Sequence, residues 1–331
     1  MALPIRIARG IVGVVKEVTV GTPVEPAGAD SFHAENIVIK MSQQAYEPKA
    51  TRAHFGDLDT IPGMAEGEIS FEILLVGSTG AGTDPFWHTS MLATGHQRVT
   101  VGATSTTYKS TTKFDGTGTT TLFPSESYSV YVWEENGGPN YRLSGCQGDF
   151  GMSAKSGEPL RLKFSYKGGY QPVIDDGSPP TVTDSALVPP TFLAANLSLH
   201  GLSAGSIAFE QFNFSKGNVL SPRINANSTP GLLSYWVTGH QPMIKINPEM
   251  LTVATHDFFA RWRAGTTGAI TFGPIPSGGG AGLKVAFTAN RTQYFSVPLA
   301  ERNGARVLDM EARITTAAAA VDGDDYSIAF T

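Results

Sequence analysis

Two histidines, His88 and His96, lie in the stretch TDPFWHTSMLATGH at residues 83–96, among aromatic residues suited to a ligand or metal site. Imidazole nitrogens are common zinc ligands, and a zinc site needs several of its donors around one ion. On a continuous helix, residues eight apart lie about 12 Å apart along the axis and on different faces. These two histidines therefore do not form a shared metal site.

The remaining histidines also lack the spacing of metal ligands, and we expect surface or capping roles for them. They are His33, His54, His200, His240 and His256.

Other short motifs with binding or catalytic potential are incomplete. The glycine-rich PSGGGAGLK at 276–284 lacks the Gly-Lys-Ser/Thr ending of a phosphate-binding loop. VDGDD at 321–325 lacks the downstream glutamate and the flanking helices of a calcium loop. Cys146 is the sole cysteine, which excludes an intrachain disulfide and a cysteine-based zinc site, so we expect a small buried side chain. The sequence predicts no catalytic residue, no cofactor and no metal.

Composition narrows the class of protein further. The length of 331 residues allows two cores, and a formal net charge of −5 leaves no basic surface for stable nucleic-acid binding. Charged residues make up only 16% of the chain, which is typical of a neutral β-rich surface or of a large self-association interface. The amino terminus does not resemble a signal peptide, and no apolar run is long enough for a membrane span.

The elements that position these residues are mainly short strands. Apolar and polar residues alternate in ENIVIK (35–40), EISFEIL (68–74), YSVYVW (128–133) and PLRLKFSY (159–166), as in half-buried antiparallel sheets. In the last of these, Leu160, Leu162, Phe164 and Tyr166 share one face. The predicted fold is mainly β.

A proline-rich segment divides the chain, and the second part repeats the pattern of the first. We predict a domain at 1–178, a linker at 179–193 and a second domain at 194–331. The stretch HDFFARWRAGTTG at 256–268 repeats the opening one: both run eleven positions from an aspartate to a glycine, with aromatic residues after the aspartate. This echo favours a tandem duplication over chance similarity.

Each of the two stretches predicts one short helix packed on a sheet. Asp84 is suited to cap the first helix, Pro85 to its first position, and Gly95 to its end. In the second, Asp257 is the predicted cap and Gly268 the predicted stop. Helices this short need tertiary packing to be stable.

A long polar segment, TRAHFGDLDTIPGMAEG at 51–67, exceeds the usual length of a hairpin loop. It contains apolar residues, which favour docking on another protein.

The ordered succession of strand and turn patterns resembles the major tail tube proteins of long-tailed bacteriophages. The stretches that carry the resemblance cover nearly the whole chain, although none is a catalytic signature. They are GIVGVVKEVTVGTPVEPAGADSFHAENIVI, YEPKATR, PFWHTSMLATGH, NYRLSGCQGDFGMSAKSGEPLRLKFSYKGGYQPV, LSLHGLSAGSIAFEQFNFSKGNV and VATHDFFARWRAGTTG.

The resemblance implies two tandem antiparallel β-sandwich or barrel domains of tail-tube type, each flanked by one short helix. It implies a structural virion protein of the phage tail, assembled in the host bacterial cytoplasm. Six such domains usually form a ring of the hollow tube, so three two-domain chains are expected to complete a pseudo-sixfold ring. The partners it implies are further copies of the chain, tape measure and tail terminator or tip proteins, and viral DNA that passes without specific binding.

The long segment corresponds to the place where such proteins reach the neighbouring ring, which makes it a candidate inter-ring contact. Its candidate contact residues are Arg52, Phe55, Leu58, Ile61 and Met64.

Tubes of this family tend to have acidic lumens. Here the polar strand faces carry both signs of charge, which is at odds with a uniformly acidic lumen. The charged residues concerned are Arg161, Lys163, Asp309, Glu311 and Arg313.

Two other classes of protein remain open from the sequence. A carbohydrate-binding or adhesin module would display exposed aromatics such as Trp133, Tyr170 and Trp236 as a sugar platform. A β-rich hydrolase would need a nucleophile and a base, and the sequence offers no recognisable pair.

Overall fold

A computed structural model describes residues 10–49, 58–77, 83–101, 105–110, 126–134, 138–176, 178–182, 187–276, 283–316 and 325–331 of the protein. Strands predominate among these residues, which confirms the mainly β architecture. The first half contains strands β1 to β9 and helix α1, and the second half contains β10 to β20 and helix α2.

The elements of the first half are β1 (Ile11–Lys16), a 3-10 turn (Gly28–Asp30), β2 (Ser31–His33), β3 (Glu35–Tyr46), β4 (Ile61–Leu74), α1 (His88–Ala93), β5 (His96–Val101), β6 (Ser105–Ser110), β7 (Tyr128–Trp133), β8 (Pro139–Lys155) and β9 (Arg161–Asp175). Those of the second half are β10 (Ser198–Leu199), β11 (Gln211–Ser215), β12 (Asn218–Ile224), β13 (Leu232–His240), β14 (Met243–Ile246), α2 (Phe258–Ala264), β15 (Thr267–Ile275), β16 (Val285–Ser296), β17 (Leu299–Arg302), β18 (Ala305–Leu308), β19 (Met310–Ile314) and β20 (Ser327–Phe330).

The same order of hydrogen-bonded strands occurs twice. In the first half β3 pairs with β4, β4 with β9, and β9 with β8. In the second half β11 pairs with β14, β14 with β19, and β19 with β16. The pairs β1·β7 and β7·β8 likewise have counterparts in β10·β15 and β15·β16. The similarity between the halves therefore extends from sequence to strand topology.

The two repeats lie side by side because the end of β8 pairs with β11. Gly151 is opposite Ser215, and Lys155 is opposite Gln211. The orders β3-β4-β9-β8 and β11-β14-β19-β16 thus form one continuous run of strands. A second pairing, β20 with β6, also joins the halves. The division into domains at 1–178 and 194–331 stays a prediction, and these two pairings cross it.

A shared apolar core lies on one face of this run. The alternation predicted for β9 is confirmed, because Leu160, Leu162, Phe164 and Tyr166 are all buried. Cys146 is buried as well, as predicted. Aromatic rings continue the core from one half to the other, since the Phe150 and Phe214 ring centroids are 6.0 Å apart. Burial of such rings is the main favourable contribution to the folding free energy.

Helix α1 begins later than predicted. Asp84 does not cap it, since its carboxylate lies 2.6 Å from the Arg98 guanidinium instead. The His88 N–H donates to the Pro85 carbonyl at 2.9 Å, so residues 85–88 form a turn before the helix starts. Gly95 ends the helical segment with a φ of 75°, as predicted.

Helix α2 begins as predicted and ends earlier. The Asp257 carboxylate accepts a hydrogen bond from the Ala260 N–H at 2.8 Å, which confirms the cap. The left-handed residue at the end is Gly265, with a φ of 62°, whereas Gly268 already lies in β15 opposite Thr292. The prediction for Gly268 is therefore wrong, because a nearer glycine already supplies the left-handed conformation.

The candidate contact segment 51–67 is only partly a loop. Ile61 to Gly67 belong to β4 and pair with the far end of β3, with Ile61 opposite Tyr46. Pro62 and Gly63 favoured a loop in the sequence, but Pro62 is the second residue of the strand, close to the end where proline is tolerated. The result is a long hairpin whose end extends beyond the shared sheet.

The carboxyl end of the predicted linker is attached to the first half. The Phe192 N–H donates to the Glu158 carbonyl at 2.8 Å, and the Gly157 N–H donates to the Phe192 carbonyl at 3.2 Å. The Phe192 side chain is buried in the core. These contacts fix the chain where it enters the second half.

Candidate assembly interface

Each repeat carries a long hairpin whose base lies in the shared sheet and whose end continues past it. In the first repeat the far end of the hairpin, residues 41–46 and 61–67 of β3 and β4, is here called the first arm; of these residues, Glu66 and Gly67 still pair with β9 of the shared sheet. In the second repeat β12 and β13 continue β11 and β14, and these two strands form the second arm. The positions correspond: Met41 is opposite Gly67 at the start of the first arm, as Asn218 is opposite His240 in the second.

The second arm lies on the first half, and its start is fastened to the end of α1. The Lys216 ammonium is fully buried and donates to the Thr94 carbonyl at 2.7 Å and the Gly95 carbonyl at 2.6 Å. The Asn218 side-chain amide donates to the Thr94 and Gly148 carbonyls. A cation at this end of a helix is favourable, because the last carbonyls carry partial negative charge.

The same arm is anchored to β8 through Asp149. The Asn218 N–H donates to its carboxylate at 2.9 Å. Burial raises the pKa of Asp149, although backbone N–H groups and the Lys216 charge oppose that rise. The carboxylate therefore depends on the second arm for part of its solvation.

Farther along, the second arm crosses two glycines that a buried carboxylate holds in place. The Glu17 side chain accepts hydrogen bonds from the Gly145 N–H at 2.8 Å and the Gly21 N–H at 2.7 Å. Both glycines have positive φ, and a Cβ on Gly145 would lie 2.5 Å from the Leu233 carbonyl oxygen. The Tyr235 hydroxyl donates to Glu66 nearby.

Gly145→Ala is expected to lower the free energy of unfolding by about 2 to 3 kcal/mol. Part of this loss comes from the left-handed backbone, and part from the clash with Leu233. Gly157→Ala is the matched control, since Gly157 also has positive φ but nothing lies within 4 Å of its added Cβ. The control should lose only about 1 kcal/mol, from strain alone. Urea denaturation of both variants measures the difference; equal losses would show that the arm does not press on Gly145.

Among the described residues, neither arm lies on the corresponding surface of the second half. Helix α1 buries Ser90, Met91 and Ala93, whereas α2 buries only Phe258. Trp262 of α2 is 48% exposed and donates its indole N–H to the Phe295 carbonyl on β16 at 3.1 Å. Phe295 itself is 59% exposed, and Phe259 is 37% exposed. These three aromatic residues form an exposed cluster, here called the aromatic patch.

Two strand edges are also open within the described part of the chain. β3 pairs with β4 alone, and β17 pairs with β18 alone. Val38 on β3 is 45% exposed, and Leu299 on β17 is 54% exposed. Open edges that carry apolar side chains favour pairing with another chain.

The polar face of the shared run carries matched ion pairs. Glu72 on β4 is opposite Lys163 on β9, with 2.9 Å between charged atoms. At the corresponding place Lys245 on β14 is opposite Glu311 on β19, at 2.5 Å. The signs are reversed between the repeats.

The ion pairs on this face shift the pKa values of their side chains. Burial alone would raise the pKa of Glu72, but hydrogen bonds from Lys163 and Asn36 outweigh it and leave the pKa below its usual value. The Glu311 carboxylate raises the pKa of Lys245. A groove of 540 Å³ on the same face is lined by Glu72, Lys163 and Asn213, among others.

The predicted contact residues are placed as follows. Arg52 and Phe55 lie outside the described residues. Leu58 precedes β4, and Ile61 is exposed at the end of the first arm. Met64 lies nearer the base, with its side chain beside Gly231 of the second arm. No sequence pattern pointed to Lys216 or to the aromatic patch.

Three histidines are buried: His96, and also His200 and His256, for which surface or capping roles were expected. Each meets a polar partner, which makes burial possible. The rings contact the Tyr326 hydroxyl at 2.7 Å, the Thr292 hydroxyl at 2.7 Å and the Tyr294 hydroxyl at 3.0 Å, respectively. Burial lowers the pKa of all three, to about 4 for His200.

Other kinds of site receive no support from the geometry. Within the described ranges, no group of histidine, cysteine and carboxylate side chains is arranged to hold a metal ion. Trp133 is buried and donates to Asp176 at 2.7 Å, so Trp133, Tyr170 and Trp236 do not form a sugar platform. Neither α1 nor α2 is long enough to cross a membrane, and no other helix of the described residues is.

Comparison with known proteins agrees with the topology. The model of the phage tail tube protein family matches residues 7–329. No curated protein matches the chain. With its repeated β-sandwich strand order, its helices and a family match over nearly its whole length, the chain belongs to the phage tail tube proteins, the structural proteins of the bacteriophage tail tube.

Proposed function

We propose that three copies of this chain close into a ring with pseudo-sixfold symmetry, and that such rings stack into a tube through which viral DNA passes. The observation that carries this proposal is the pairing of β8 with β11. In sheet order it joins the last strand of the run β3-β4-β9-β8 to the first strand of the run β11-β14-β19-β16. The repeats are therefore arranged head to tail. Head-to-tail contacts generate a closed ring when the rotation between units divides a full turn.

The same junction is then available between chains. The equivalent of β11 in the first repeat is β3, and the equivalent of β8 in the second repeat is β16, which continues into β17. In the described part of the chain β3 has one open edge and β17 has one beyond the end of β16, whereas β16 itself pairs with β15, β19 and β20. Pairing of β3 from one chain with the β16–β17 edge of the next would repeat the internal junction.

The polar face of the shared run is suited to the inside of the ring. Its apolar face forms part of the core, so only the polar face is exposed. The alternation of Glu72–Lys163 with Lys245–Glu311 leaves cations beside carboxylates. DNA binding needs unpaired cations that displace counterions, so a face of this kind lets DNA slide.

The tip of the first arm is our proposed contact with the neighbouring ring. Ile61 is exposed at the end of β4 that lies farthest from the shared sheet, which supports this role for Arg52, Phe55, Leu58, Ile61 and Met64. Tape measure and tail terminator or tip proteins are the further partners, and assembly takes place in the host bacterial cytoplasm. The chain acts by self-assembly, without catalysis and without a cofactor.

Negative-stain electron microscopy with native mass spectrometry tests the proposal. We expect rings whose mass is three times the 35.1 kDa of one chain, with six similar lobes after averaging. Six chains per ring would contradict the stoichiometry. A chain that stays monomeric even when the partner tail proteins are present would contradict self-assembly itself.

A further inference from the structure

We infer that the first arm of one chain covers the aromatic patch on the second half of the next chain in the ring. This inference rests on the proposed ring and names the surface that closes it. It follows from the way the second arm covers the first half within the chain.

Strand register identifies the corresponding positions. The ion pairs Glu72–Lys163 and Lys245–Glu311 occupy equivalent places in the two repeats. Counted along the two hairpins from Glu72 and from Lys245, Met41 and Asn218 occupy corresponding positions.

Two further assignments follow in the same way. Two positions before Met41 and Asn218, Ile39 corresponds to Lys216. Asp149 and Gln293 correspond, because Asp149 is opposite Ser165 and Gln293 is opposite Arg313.

Within the chain this contact is polar. Lys216 and Asn218 supply donors to the Thr94 and Gly95 carbonyls at the end of α1, and Asn218 also reaches Asp149. The receiving surface therefore presents acceptors, and the arm presents donors.

At the corresponding place on the second half, the carbonyl acceptor at the end of the helix already has a donor from its own half. The Gln293 side-chain amide donates to the Gly265 carbonyl at the end of α2, at 2.8 Å. What the surface presents instead are the exposed aromatic side chains of Trp262 and Phe295, with Arg261 and Arg263 beside Trp262 in the last turn of α2.

The start of the first arm is apolar where the start of the second arm is polar, which suits an aromatic surface. Just before the two arms, Lys216 corresponds to the apolar Ile39, and at their starts Asn218 corresponds to the apolar Met41; Ile39 and Met41 are both only partly buried in the chain. Its neighbour Val38 is exposed. A donor–acceptor contact inside the chain is thus replaced by an apolar contact between chains. Large aromatics at the centre of an interface are where binding energy concentrates.

The occupant can be identified by cross-linking from the patch. Trp262 is replaced by the photoreactive residue p-benzoylphenylalanine, rings are confirmed by electron microscopy, and cross-linked peptides are sequenced after irradiation. We expect links between chains that end within residues 36–46 or 61–67. Rings that form but cross-link elsewhere, or not at all, overturn the inference while leaving the ring intact. Absence of rings from the unsubstituted protein would instead overturn the proposed function and the inference with it.

Alanine substitution gives the size of the effect. Trp262→Ala is expected to raise the dissociation constant between chains about tenfold, as for an interface residue of average importance. Trp236→Ala is the matched control, because Trp236 is equally exposed but lies on the second arm beside Arg223. The control should change the dissociation constant between the chains of a single ring less than about twofold. Equal effects of the two substitutions would contradict a specific role for the patch, and circular dichroism verifies that both variants fold.

Discussion

Lys216→Met is expected to lower the free energy of unfolding by about 3 kcal/mol, although it removes no apolar contact. The fully buried ammonium donates to the Thr94 and Gly95 carbonyls, and methionine of similar length cannot. A hydrogen bond to a charged group contributes about 1.5 to 3 kcal/mol, and carbonyls left buried without a donor add their own cost. Because Lys216 leads into the second arm, unfolding should begin with detachment of that arm.

The control for this prediction is Lys245→Met on the neighbouring strand β14. Lys245 also pairs with an acceptor, the Glu311 carboxylate at 2.5 Å, but its side chain is largely exposed. Exposed ion pairs contribute no more than about 1 kcal/mol, so the control should change stability little. Chemical denaturation of the unassembled chain, followed by tryptophan fluorescence, measures both. If the two variants lost equal stability, Lys216 would not be the fastening we describe.

Acidification is expected to destabilise the folded chain between pH 6.5 and about 4, the pKa of folded His200. Burial lowers the pKa values of His96, His200 and His256, most clearly for His96. Below pH 6.5 the unfolded chain takes up protons on these imidazoles while the folded chain does not, so the free energy of unfolding falls with pH. His200 contributes a slope of up to about 1.4 kcal/mol per pH unit in this window, and the lowered pKa values of His96 and His256 act in the same direction. Above pH 6.5 all three are neutral in both states and contribute no slope.

His200→Gln isolates one of these contributions. Glutamine retains a polar group near the Thr292 hydroxyl but does not titrate. Denaturation at pH 7, 6 and 5 should show a pH dependence that is shallower by up to about 1.4 kcal/mol per unit than in the unsubstituted chain. Asp149, whose raised pKa acts in the opposite direction, is present in both proteins and cancels in the comparison. Identical slopes would mean that His200 is protonated in the folded chain.

Local rules predicted the parts of the fold in which local preference and tertiary structure agree. Alternation identified β4 and β9, and the Asp257 cap formed as predicted, with the Ala260 N–H as its donor. The capping rule failed at Asp84, whose carboxylate instead forms an ion pair with Arg98 on β5. Arg98 is remote from the helix start in sequence, so only the folded sheet shows which interaction prevails.

The interface was less accessible to prediction for the same reason. Lys216 lies within an ordinary strand pattern, and its burial depends on the Thr94 and Gly95 carbonyls of the other half. The docking role of the long segment is a prediction from its length and apolar residues. Its strand at Ile61 to Gly67 was missed, because that strand is defined by pairing with β3 and not by alternation.

The pairing of β8 with β11 also has a consequence for how a ring comes together. Half of the junctions in a ring of three such chains are covalently tethered, so their effective concentration is on the order of millimolar, whatever the amount of protein in the cell. A tethered junction needs little intrinsic affinity, and the polar contacts of Lys216 and Asn218 suffice there. The junctions between free chains have no such help and must overcome the entropy of association, which is where Trp262 and Phe295 lie exposed. Duplication thus confines concentration dependence to the two encounters that bring three chains together, since the third junction closes within the complex.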